Sequence, residues 1–294
     1  TRFPDGTWRR RYDGGLVVVN PSDWDLFLEL DEIHRDASSG RVDSRFLLPR
    51  RDGRIYLPAE APKRPGQWPE PEPLLTWDGP AAIFEREGSI VVRDGNGLAM
   101  LLDEHGEVQS LCSGGLEPIV AVKPVLVRDQ HWRNFAFEDV RHETSSDTTL
   151  TFTGRRTDRD QSLGFRQTIR PADGGFSIEY RWRAETPLKL HAFRQAVHLS
   201  PRTLGGKTLR WPEGEVLLPK ETSDSPNLAG GITSATLPIG DRGTLTIRLP
   251  QPALLVDDRF YRGRGYLLAI HPESGEIPAG REWSYTLEFV SGRE

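Results

Sequence analysis

Residues 176–199 read FSIEYRWRAETPLKLHAFRQAVHL, and this stretch decides the fold class. Phe176, Ile178, Tyr180 and Trp182 alternate with Ser177, Glu179, Arg181 and Arg183, the period of two that a strand with one covered face requires. Glu185-Thr186-Pro187 then interrupts the ladder, because proline has no amide hydrogen to donate. Beyond it, Leu188, Leu190 and Ala192 line one face of a second strand, and His191, Phe193, Gln195 and Val197 line the other. The spacing predicts two neighbouring strands, the second of which turns a face of mixed polar and apolar groups toward a ligand cleft.

The rest of the chain repeats this texture. Over 294 residues it holds 29 glycines and 23 prolines, and its apolar runs are short and broken by turn dipeptides. No long stretch has a helical period; the nearest, residues 24–34, is short and rich in β-compatible side chains. The expected class is all-β: a small antiparallel sheet module plus a large two-sheet sandwich. A formal charge of -5 with both signs interspersed argues against a nucleic-acid binder that works by neutralising phosphates. Cys112 is the single cysteine, so neither an intrachain disulfide nor a thiolate metal cage can be built. No apolar run approaches the length of a membrane span, so no membrane partner is expected. The chain opens without methionine in what reads as the approach to a strand, and is expected to be a segment of something longer.

Taken in order, residues 1–57 carry short strands at 16–19, 27–30, 46–48 and 55–57, separated by Gly14-Gly15, Asn20-Pro21-Ser22, Ser38-Ser39-Gly40 and Asp52-Gly53. The succession YDGGLVVVNPSD, SGRV and LLPRRDGRIYL resembles the C-terminal β-module that closes the barrel-type glycoside hydrolases of bacteria, with Arg50 in place of the second proline of the family's ending. That resemblance implies an upstream catalytic barrel as partner and a secreted or periplasmic location, and it carries over no catalytic residue. Residues 58–73 hold six of the prolines and read as a linker or strap. Residues 74–294 form the expected sandwich, and their order of elements is loosely similar to the supersandwich domains of the galactose-mutarotase type.

Saccharides are recognised by flat apolar faces for pyranose C–H surfaces and by planar polar groups for hydroxyl pairs. His131, Trp132 and Arg133 place a ring beside donors, and Gln195, Asp258 and Tyr261 are further expected sugar contacts. His191 and Arg194 are the candidate catalytic residues, since imidazole with charged neighbours suits proton transfer. His198 shares a row with Arg194 and, seven positions from His191, points to the opposite face of an unbroken strand. No cofactor is expected; Asp257-Asp258, followed by Arg259, could meet the sugar or bind a structural calcium ion, and a turn stabilised by Asp–Arg contacts is the default reading. There is no nucleophile elbow, phosphate loop or dinucleotide fingerprint. The expected function is a carbohydrate-active accessory part that binds an oligo- or polysaccharide. One alternative is a glycan-processing enzyme of glycosidase, lyase or epimerase type, and another a structural or assembly module.

Overall fold

The computed structural model describes residues 6–12, 14–22, 26–59, 80–86, 89–113, 116–128, 134–146, 148–172, 174–239, 243–261 and 265–292. The chain divides into two compact units, Thr1–Thr76 and Trp77–Glu294. Almost every described element in either unit is an antiparallel strand.

The first unit is a five-stranded sheet of β1 (Trp8–Tyr12), β2 (Gly15–Val19), β3 (Leu26–Asp36), β4 (Val42–Leu48) and β5 (Gly53–Pro58), in the order β1-β2-β5-β3-β4. The helical alternative at 24–34 is therefore a strand over its described part. Val18, Leu28, Leu30, Phe46, Leu48 and Tyr56 close over one face as a small core. Asn20 shows why the first turn is built on an Asn-Pro pair. Its buried amide donates to the carbonyls of Leu48 (3.2 Å) and Pro49 (3.0 Å), and its Oδ1 accepts the N–H of Ser22 (3.0 Å), so one side chain ties two turns together.

The second unit begins with a meander of β6 (Ala82–Arg86), β7 (Ser89–Arg93), β8 (Leu98–Leu102), β9 (Val108–Ser113) and β10 (Leu116–Val127). Next come β11 (Ala136–Ser146), β12 (Thr149–Asp158), β13 (Gln161–Ala172), β14 (Gly175–Ala184), β15 (Leu188–Leu190) and β16 (Ala192–Leu199). A four-residue helix, α1 (Pro201–Leu204), leads to β17 (Thr208–Trp211), β18 (Gly214–Leu217), β19 (Asn227–Pro238) and β20 (Thr244–Asp257). A 3₁₀ turn, Asp258–Tyr261, precedes β21 (Tyr266–Ile270), β22 (Gly275–Ile277) and β23 (Glu282–Gly292). The Asp94 turn shows why the hairpins are tight: its Oδ1 accepts the N–H groups of Asn96 (2.7 Å) and Leu98 (3.0 Å), while Gly95 and Gly97 take φ of 84° and 98°.

Hydrogen bonding runs through one path, β11-β12-β13-β14-β23-β20-β21-β16-β10-β9-β8-β7-β6. It folds into two layers at β20, where Thr244–Arg248 pair with β23 and Leu254–Asp257 pair with β21. Pro250 and Pro252, which cannot donate to a ladder, lie between the two halves. The layers meet through an aromatic core. Phe193 of β16 sets its ring edge against Trp182 of β14 (5.2 Å) and Trp283 of β23 (5.7 Å).

This geometry corrects the expected arrangement of residues 176–199. β14 pairs with β13 and β23, and β16 pairs with β10 and β21, so the two strands are not neighbours but lie in opposing layers. Pro187 ends the first ladder, and the short β15, paired only with β22, follows before the second begins. Both segments alternate because both cover the same core, one from each side.

Candidate functional site

Strand alternation in β16 sends Phe193, Gln195, Val197 and Leu199 into the core, where each is at most 1% exposed, and leaves Arg194, Ala196 and His198 on the opposite face. The face expected to line a cleft is thus the buried one. Gln195, expected as a sugar contact, is instead a core residue. Its Oε1 accepts the hydroxyl of Tyr285 (2.8 Å).

The outward face of β16 is framed by its neighbours. On one side Val125, Lys123 and Ala121 of β10 stand opposite Arg194, Ala196 and His198. On the other, Ala269 and Leu267 of β21 stand opposite Ala196 and His198, and His271 continues that strand's outward row beside Arg194. Ala196 and Ala269 pack with Val256, Leu267 and Val125 into a small apolar cluster separate from the main core. Ala196 and Ala269 are only 1% and 3% exposed, so the patch is covered, with a guanidinium, two imidazoles and an ammonium around it.

The electrostatics follow from partial burial. Burial lowers the pKa of His271, the charge of Arg194 lowers it further, and a hydrogen bond to the Phe193 backbone opposes both. The imidazole is therefore neutral at neutral pH. Burial also raises the Asp258 carboxyl, with the neighbouring Asp257 adding to the rise and the Arg194 charge opposing it. Arg194 itself is lowered by burial and held up by Asp258. Arg194 and Asp258, both expected site residues, thus share one electrostatic environment.

Asp257, one position earlier, does a different job. It is fully buried, which would raise its carboxyl, but Arg259 grips both oxygens (2.8 and 2.9 Å) and Ser223 donates its N–H (2.8 Å), so its pKa is lowered. Those oxygens hold the turn together. Among the described residues no group of three or more His, Cys, Asp or Glu is placed to hold a metal ion. Arg259 further donates to the carbonyls of Pro219, Lys220 and Glu221, which fixes the 3₁₀ turn. That turn presents Phe260 and Tyr261, 46% and 63% exposed, as an edge-on aromatic pair 5.1 Å apart.

The remaining expected residues are dispersed. His191 is exposed and precedes β16, its N–H donating to the carbonyl of Val127 (2.8 Å). His131, Trp132 and Arg133 lie outside the described residues; the flanking Val127 and Asn134 bridge to each other. Sequence reasoning missed His271 and Lys123. A signal for His271 was present, since Leu267, Ala269 and His271 alternate with Tyr266, Leu268 and Ile270.

No family model matches the chain, and no curated protein matches it by sequence. Among solved structures it is similar to a 4-alpha-glucanotransferase from Thermococcus litoralis, with 12% identity and a TM-score of 0.47 over 73% of this chain and 40% of that one. It is also similar to a galactose mutarotase related enzyme from Lactobacillus acidophilus, with 10% identity and a TM-score of 0.42 over 72% of this chain and 97% of that one. An alpha-mannosidase from Enterococcus faecalis gives 11% identity and a TM-score of 0.38 over 97% of this chain and 38% of that one. This chain therefore spans less than half the length of the glucanotransferase and the mannosidase, and at these identities the likeness is one of β architecture.

Proposed function

We propose that the second unit is a saccharide-binding sandwich whose ligand rests on the outward face of β10, β16 and β21. The observation that carries this reading is the grouping of the partly exposed Arg194 and Lys123 and the exposed His271 around the Ala196–Ala269 patch. Guanidinium, ammonium and imidazole groups pair with the hydroxyls of a sugar. The exposed Tyr261, beside Asp258 in the 3₁₀ turn, is the aromatic platform of this reading. The saccharide class itself comes from the resemblance of residues 1–57 to glycosidase-closing modules, which also makes an upstream catalytic barrel the expected partner. Arg194→Ala is expected to abolish binding on a glycan array while the β circular dichroism spectrum is kept. Unchanged binding in that variant would remove the face from consideration.

One observation favours a catalytic reading of the same face. The pKa of His271 is lowered and that of Asp258 raised, both within the influence of Arg194, so two groups of the kind that transfer protons share one environment. Turnover of a polysaccharide or aryl glycoside that disappears in His271→Gln would establish it, and binding without turnover would leave the accessory role.

A further inference from the structure

The opposite layer carries an open face, built from different strands. Across it, Arg141 of β11 stands opposite Thr153 of β12, Thr153 opposite Arg166 of β13, Arg166 opposite Arg181 of β14, and Arg181 opposite Ser284 of β23. The core takes Phe152, Phe165, Tyr180 and Trp182, so alternation puts these five residues in one outward row. The row holds three arginines and no carboxylate. A groove of about 540 Å³ runs along it, lined among others by Thr153, Gly164, Arg166, Arg181, Arg183 and Ser284. Gly164 supplies no side chain to fill this groove, and a Cβ there would come within 3.3 Å of Glu185 Oε1.

Like charges directly opposite each other weaken an antiparallel pair. Arg166 and Arg181 are such a pair. Arg181 is partly offset by Glu179 (2.7 Å) and Arg183 by Glu282 (3.7 Å), but among the described residues no carboxylate pairs with the exposed Arg166. An arginine kept unpaired beside another, in a groove, fits an anionic ligand that completes the pair.

We propose that this groove binds an acidic saccharide, its carboxylate or sulfate group held between Arg166 and Arg181. Glu179 and Glu282, on either side of the row, accept hydroxyl hydrogen bonds from the same molecule. Those flanking carboxylates and the formal charge of -5 disfavour a polymer with a phosphate on every residue, whereas a sparsely charged chain rich in hydroxyls matches both signs. The proposal stands on its own residues and does not rest on the Arg194 face.

The test is calorimetric titration of the full chain with an oligogalacturonate, a sulfated oligosaccharide, a neutral maltooligosaccharide and a single-stranded oligonucleotide. Binding of one or both acidic saccharides is expected, weakening with added salt, and the two arms tell carboxylate from sulfate. Arg166→Gln combined with Arg181→Gln should lower that affinity about tenfold or more. Arg248→Gln, which removes an exposed arginine paired with Glu288 (3.0 Å) on the same layer, should leave it unchanged. Equal affinity in the double variant, equal binding of the neutral sugar, or binding of the oligonucleotide alone would overturn the proposal.

Discussion

Asp103 sits in the turn between β8 and β9 with its carboxylate enclosed. Its Oδ1 accepts the N–H groups of His105 and Glu107 (2.9 Å each), and its Oδ2 accepts the Gln109 amide (2.8 Å). Burial, and then the charge of Glu107, nevertheless push the carboxyl up to about 7. In the unfolded chain the same group titrates near ~4. Between those values the folded protein keeps a proton that the unfolded chain releases, so this group's contribution to stability is lost as pH rises through that window and changes no further above it. Asp103→Asn cannot ionise and keeps an acceptor for the two N–H groups. It is expected to gain stability relative to the parent between about pH 5 and about pH 8, read from urea midpoints at both. A parallel pair of curves would refute it.

Across from that turn, Arg156 is 1% exposed, donates to the Phe135 carbonyl (3.0 Å) and to Glu107 (3.3 Å), and lies 3.7 Å over the Phe137 ring. Arg156→Leu leaves Glu107 and that carbonyl without their donor, and should cost about 3 kcal/mol in denaturant unfolding. Neither role was legible in the sequence. Asp-Glu-His-Gly-Glu reads as a polar turn, and nothing local says that an arginine from β12 is buried against it.

At the scale of the element, alternation told which face of a strand is covered but not which strand lies beside it. Phe176 to Trp182 and Phe193 to Leu199 both show the period correctly, yet they belong to opposing layers because their shared signal is a shared core. Gln195 was misassigned for a related reason. A polar residue in an apolar row looks like a surface group until its partner, the Tyr285 hydroxyl from the other layer, is known. The interleaving can be tested at Phe193, fully buried against Trp182, Trp283 and Tyr285. Phe193→Ala is expected to cost about 3–5 kcal/mol. Gly175 tests the β14–β23 pairing from its end, since a Cβ there would stand 1.9 Å from the Phe289 carbonyl oxygen. Gly175→Ala should therefore lower the melting temperature, although the change adds one methyl group.

At the scale of the whole molecule, the all-β class was legible because short apolar runs and turn dipeptides recur along the chain. The mutual electrostatic influence of Arg194 and Asp258 was legible only as two separate polar spots, since it depends on β16 and β20 both flanking β21. The same topology bears on how the chain can be divided. The five-stranded sheet and the larger sheet share no strand pairing, and their cores, around Tyr56 and around Phe193, share no residue. A fragment comprising Trp77–Glu294 therefore keeps every ladder of the two-layer sandwich, including the Arg194 face and the Arg166 row. It is expected to unfold in one cooperative step, with strand circular dichroism and with whatever saccharide binding the full chain shows. The Thr1–Thr76 fragment has, among the described residues, a core cluster of seven, and should melt lower and more broadly. Thermal melts of the two fragments beside the full chain decide this: a larger fragment that aggregates or loses its cooperative step would mean that the first unit is needed for the sandwich to form.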